Sequence, residues 1–140
     1  MRYGDALQMK VDIYVYDKRR EDIRNGHTTD DVIAELAEAE KFIQYFSEKG
    51  LYKDVKKLGE GIYPMGATEN SIAYQSNRYQ LGQTAGPGVK FTGMRISETY
   101  VRGFRKHFLK IRITYPKDSN DSSVKARDEL MSDFGKLLKQ

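Results

Sequence analysis

The sequence predicts an α+β domain: an antiparallel sheet of about four to five strands, with two helices packed on one face, in the order β-α-β-β-β-α. Three observations carry this reading. Residues 9–17 alternate, with Val11, Ile13 and Val15 on one side and Asp12, Tyr14 and Tyr16 on the other. Val32, Leu36, Ala39, Ile43 and Phe46 recur at helical spacing. Residues 90–115 form two alternating runs about a glycine, and a second helical pattern comes after them. Strands that gather on an antiparallel sheet, with separate helices to cover it, define the α+β class.

Each element has its own punctuation. The strand over 9–17 gives way to a charged connector over 18–25, closed by Gly26. Thr28 or Thr29 is a good helix cap, Asp30 and Asp31 suit the positive end of the dipole, and Gly50 reads as the stop. Glu35, Glu38, Lys41 and Glu48 fall on the opposite, polar face. Residues 51–64 are ambiguous, with a short strand or turn over 52–58 and a loop marked by Gly59, Gly61, Pro64 and Gly66. Residues 70–81 read as a weakly alternating strand, and 82–88, with Gly86-Pro87-Gly88, as a turn or loop.

In the strongest β region, Gly103-Phe104 suits a two-residue type II′ hairpin turn. That turn pairs Tyr100 with His107, Ile96 with Ile111, and Arg95 with Arg112. Pro116 ends the hairpin, and residues 118–123 are a polar turn able to cap a helix. Val124, Arg127, Leu130, Met131, Phe134, Leu137 and Leu138 make that terminal helix amphipathic.

The chain has 140 residues, of which 39% are hydrophobic and 31% charged, so one domain over 1–140 can bury its own core. Ten Tyr and six Phe supply core material. The longest apolar or aromatic run is four residues, Ile13 to Tyr16, far short of the roughly 20 that a transmembrane helix needs. Cysteine is absent, which excludes disulfides, thiol catalysis and zinc–thiolate sites. The first residues hold no apolar signal-peptide core. They suit a cytoplasmic protein starting at Met1, or an exported domain whose leader has been removed.

The net charge of +4 is unevenly spread. Residues 1–69 carry 11 basic and 14 acidic residues, residues 70–117 carry nine and one, and residues 118–140 carry four and five. The excess therefore sits in the hairpin region, which makes its outer face the first candidate contact surface. Arg95, Lys106, Lys110 and Arg112 fall there around Phe108, with Arg102 and Arg105 at the turn. Directly opposed Arg95 and Arg112 destabilise a sheet unless an anion, a phosphate backbone or an acidic partner compensates them. A solvated outer face, or an acidic element of residues 1–69 folded over it, has the same signature.

Glu98, Tyr100 and His107 form a second candidate on the otherwise apolar face. A carboxylate orienting an imidazole is half of an acid–base site, and equally a satisfied polar cluster at the sheet rim. Residues 118–122 place oxygen ligands at alternate positions but lack the glycine of a calcium loop, so helix capping is the simpler reading. Neither glycine loop matches a dinucleotide or phosphate-loop pattern, and two separated histidines without cysteine give no metal motif. No cofactor is expected.

The strand Val11-Asp12-Ile13-Tyr14-Val15-Tyr16-Asp17, the junction Gly50-Leu51-Tyr52-Lys53-Asp54-Val55, and the hairpin from Tyr100 to Pro116 together resemble a group of small uncharacterised bacterial exported proteins. That resemblance implies an envelope or periplasmic location and no catalytic residue. The element order is also similar to two-layer α+β binding domains of the Mog1/PsbP-like type. The expectation is a non-enzymatic domain of the cell envelope, touching a protein or anionic partner through Arg95, Lys106, Phe108, Lys110 and Arg112. One alternative is a cytoplasmic nucleic-acid binder using the same face, with Phe108, Tyr14 or Tyr16 stacking on bases. Another is a small enzyme using Glu98 and His107.

Overall fold

A computed structural model describes residues 9–17, 23–67, 72–83 and 93–139. The connector over 18–22, the Gly86-Pro87-Gly88 loop and the first residues of the expected strands at 70 and 90 lie outside them. The described residues form β1 (Lys10–Tyr16), α1 (Asp30–Glu48), β2 (Tyr52–Tyr63), β3 (Tyr74–Gln83), β4 (Met94–Phe104), β5 (His107–Pro116), a short 3-10 turn (Lys117–Ser119) and α2 (Asn120–Leu138). The strands make one open antiparallel sheet in the order β1-β5-β4-β3-β2, so the α+β class holds with five strands and two helices.

The helices lie on opposite faces, which corrects the one-face arrangement. Successive strand residues point to opposite sides. Tyr100, Leu109 and Ile111 pack with Ala126 and Met131 of α2. Their neighbours Val101 and Phe108 pack with Val32 and Leu36 of α1. β4 is therefore buried on both sides from Ile96 to Gly103, and the alternation seen in the sequence separates an apolar face under α2 from a more polar one, with Ser97 and Thr99 buried beside Val101, under α1.

α1 begins and ends as its sequence dictates. Thr29 Oγ1 accepts from the Val32 amide at 3.3 Å. At the other end Gly50 takes a φ of +76°, its amide donates to Ser47 O, and the Leu51 amide donates to Phe46 O. That pair of bonds is the Schellman arrangement, which needs a left-handed residue at the glycine position. Glu35, expected on the polar face, is buried and accepts from Tyr16 Oη at 2.9 Å.

β2 runs twelve residues, straight through Gly59 and Gly61. Partner-strand pairing with β3 overrides the loop signal of those glycines. Register shifts near Asp54 and Leu58 absorb the irregularity. In the C-terminal segment, the helix starts inside the polar turn expected over 118–123. Ser119 Oγ donates to Pro116 O and lies 3.1 Å from Ser123 Oγ.

The β4–β5 hairpin turns at Arg105-Lys106, not at Gly103-Phe104. Both turn residues have positive φ, +50° and +67°, the pattern of a type I′ turn. Phe104 pairs with His107, Tyr100 with Ile111, Ile96 with Tyr115 and Glu98 with Ile113. The partners shift by four residues relative to the expected pairing. The shift is even, so Arg95, Phe108, Lys110 and Arg112 keep one face and Glu98 and Tyr100 the other, while Lys106 moves into the turn and Arg102 out of it. Gly103 serves another purpose. Its backbone pairs with Gly26 in both directions, and a Cβ there would meet Arg24 O at 1.9 Å.

Candidate functional site

A cleft opens where α2 leaves the β2–β3 end of the sheet uncovered. It encloses about 1250 Å³. Tyr63, Ile72, Tyr74, Tyr100 and Met131 supply apolar walls; Glu98, Arg127 and Asp128 line it too, with Glu60, Arg78, Lys136 and Lys139 as further charged groups. The Tyr63 and Tyr100 rings meet edge-on at 5.1 Å between centroids, and the Arg127 guanidinium lies over Tyr63 at 5.2 Å.

Glu98 is the hub. It sits on the α2 face of β4, only 2% exposed. Its Oε1 accepts from Tyr100 Oη at 2.7 Å, and its Oε2 from Tyr115 Oη at 2.9 Å and Arg127 Nη1 at 2.8 Å. Arg78 Nε approaches the same Oε2 at 3.3 Å, while its Nη2 donates to Tyr115 Oη and Asn120 Oδ1. Arg127 also reaches Asp128, which takes the Tyr63 hydroxyl at 2.6 Å. A carboxylate this deep is tolerated because two hydroxyls and the Arg127 guanidinium replace its water and the charge of Arg78 lies beside it.

Burial is the largest influence on the tyrosines of the cluster. It raises Tyr100 and Tyr115, and the charge of Glu98 raises them further. Tyr63 is raised by burial and then by its bond to Asp128. Burial alone lowers Arg127, but Tyr100, Glu98 and Asp128 outweigh it and hold the guanidinium above its ordinary value. Tyr74 is pushed up to about 12, chiefly by burial, and its hydroxyl has no hydrogen-bond partner among the described residues.

The structure joins Glu98 to Tyr100 and separates both from His107. His107 is exposed at the turn, with Nδ1 2.8 Å from Arg105 O. Glu98 lies opposite Ile113, six residues along β5 from His107, or roughly 20 Å of extended chain. The expected approach of Glu98 to His107 depended on the turn at Gly103, which paired Tyr100 with His107, and the observed register does not bring the two together.

The basic face is similarly rearranged. Arg95 pairs with Pro116 and Arg112 with Thr99, so the two arginines are not opposed. Phe108, expected as an exposed contact, is 1% exposed beneath α1. An element of the acidic segment thus folds over this face. Arg112 donates from Nε to Ser97 Oγ and from Nη2 to Tyr52 Oη, both at 3.2 Å. Lys110 lies over the rings of Tyr14 and Tyr16 at 5.1 and 5.5 Å, and Lys106 is exposed at the turn. Arg102 faces the α2 side, buried, donating to Gly103 O and Ala73 O.

Across the α1 face, Glu40 accepts from Tyr79 Oη at 2.8 Å, Asn77 Nδ2 at 3.3 Å and Lys57 Nζ at 3.2 Å. Partial burial by itself raises its carboxyl. The bonds from Tyr79, Lys57 and Asn77 prevail and hold it below the usual carboxylate range. Among the described residues no cluster of three or more His, Asp or Glu side chains could hold a metal ion, and no helix is long and apolar enough to cross a membrane.

Arg78, Arg127, Tyr115, Tyr63 and Asp128 are the residues that sequence reasoning missed. One signal was present: Arg127 falls at an apolar-face position of its helix, as Glu98 does on its strand. No protein-family model matches the chain, and comparison with curated proteins gives no match.

Proposed function

We propose that the chain is a non-enzymatic binding domain whose ligand enters the cleft between β2–β3 and α2. The observation that carries this reading is the cleft itself, which combines an aromatic and apolar wall with charged groups of both signs. Ligand pockets are built this way. Glu98 argues against catalysis there, because its two oxygens already accept from two hydroxyls and the Arg127 guanidinium, with Arg78 Nε a further 3.3 Å ion-pair contact. The Tyr74 hydroxyl, on a residue that lines the cleft and without a hydrogen-bond partner among the described residues, supports a ligand with a polar atom of its own. The ligand class is a small molecule with an apolar or aromatic body and a hydrogen-bonding polar group.

Gly135 provides the test. It stands within α2, lines the cleft, and leaves a Cβ position 3.9 Å from Ile72 Cβ. Glycine inside a helix costs about 1 kcal/mol relative to alanine, so Gly135→Leu fills the cleft while favouring the helix. Binding of the fluorescent probe anilinonaphthalene sulfonate is expected to be saturable in the parent protein and at least tenfold weaker in Gly135→Leu. The melting temperature should hold or rise. Equal probe binding by both proteins refutes the cleft as the site.

A second reading keeps an anionic partner, nucleic acid included, on the strip of β1 and β5. α1 packs mainly on β2, β3 and β4, and Lys110 sits against Tyr14, which is 45% exposed. A steep loss of oligonucleotide binding with salt favours it, and no binding at low salt removes it.

A further inference from the structure

We infer that β1 is the pairing edge for a second copy of this chain, giving a two-fold dimer with one continuous sheet. The two edges of the open sheet are built differently. β2 is defended: it carries Lys53, Asp54, Lys56, Lys57 and Glu60, two register shifts, and a left-handed φ of +52° at Asp54. Such features blunt an edge against further pairing. β1 has no shift in its register and no proline. Its charges, Lys10 and Asp12, pair with each other at one end, which leaves the run from Ile13 to Tyr16.

The apolar α2 face runs out into solvent at this edge. Val15 lies beside Leu109 and Ile13 beside Ile111. Leu109 and Ile111 are each 1% exposed, whereas Val15 is 62% and Ile13 49% exposed. A second β1, antiparallel and centred on Ile13, covers them. In that register Ile13 faces its own copy and Val11 faces Val15 of the other strand. On the opposite side Asp12 faces Tyr14 and Lys10 faces Tyr16. No like charges meet, and every apolar residue of the α2 side meets an apolar one, so the strand is complementary to itself as a two-fold interface requires.

Sedimentation velocity over a range of concentrations, on the full chain, is the first measurement. The expected result is a reversible dimer, weakened roughly tenfold or more by Val15→Lys, with an unchanged circular dichroism spectrum. Because the chain has no cysteine, Ile13→Cys and Val15→Cys report the register directly. Oxidation is expected to link Ile13→Cys to its copy. It should not link Val15→Cys, whose two copies lie four residues, or about 13 Å, apart along the paired strands. A monomer at all concentrations overturns the inference. So does a dimer indifferent to Val15→Lys, or equal linking of the two cysteine variants.

Discussion

Removing the carboxylate of Glu98 is the sharpest test of how the α2 face is held together. Glu98→Ala leaves Arg127 without its 2.8 Å partner and orphans the Tyr100 hydroxyl, in surroundings where Tyr100 is only 2% exposed. Breaking a buried ion pair by deleting one partner costs about 3–5 kcal/mol. Arg127 keeps Asp128, and Tyr115 keeps Arg78, which favours the lower half of that range. At roughly 2.1 cal/mol/K of unfolding entropy per residue, a chain of 140 residues loses about 10–15 °C in melting temperature.

Glu98→Gln is the control. Its amide oxygen can face the two arginines while its NH₂ faces Tyr100, whose hydroxyl turns to accept. The loss then falls to about 1–2 kcal/mol, the difference between a charged and a neutral acceptor. Scanning calorimetry of the two variants beside the parent measures both. If Glu98→Ala melts within about 2 °C of the parent, the cluster is solvated and Glu98 is not the hub of a buried network.

Phe108→Ala should destabilise by about 3–5 kcal/mol, the cost of an emptied aromatic core site, and urea denaturation will read it. A residue on an exposed binding face would change stability by less than about 0.5 kcal/mol. Gly103→Ala should cost about 1–3 kcal/mol, because its Cβ must displace the Arg24 carbonyl, and amide exchange at Gly26 should speed up in the same variant. Glu40 is held below its unfolded value, so its contribution to stability is complete above that value, near 4.5, and is lost as pH falls through the lower folded one. Replacing it with Gln should therefore flatten the acid side of the stability profile measured by denaturant titration.

The elements with local punctuation were legible in the sequence. α1 could be read from Thr29 to Gly50 because cap, acidic first turn and stop are all written into neighbouring residues. The hairpin turn was not legible, because Arg105-Lys106 carries none of the Asn or Gly that usually serve two positive φ values. Gly103 drew the turn to itself, yet that glycine answers to Arg24, nearly eighty residues earlier, and such a contact leaves no local trace. The same mispairing created the apparent Glu98–His107 site and the opposed arginines. β2 was misread for a related reason: its glycines signal a loop, and only β3 makes them a strand. The faces survived because an even slip preserves them. Glu98 and Arg127 could have been matched, since each is a charge on an apolar face and each needs an opposite partner there.

The strand order has a consequence for synthesis on the ribosome. β1 and β5 meet across a separation of 92 residues at Tyr16 and Phe108, rising to 104 at Lys10 and Thr114. The meander of β2, β3 and β4 needs only neighbours and can form while the chain is still emerging. β1 must wait, with the run from Ile13 to Tyr16 unpaired, until the other four strands have been made. Long-range strand pairing of this kind slows folding and lengthens the time for which sticky segments are open to other chains. Of these five strands, the earliest translated is thus the one with most need of a chaperone, and the partner that rescues it is the last of them to be made.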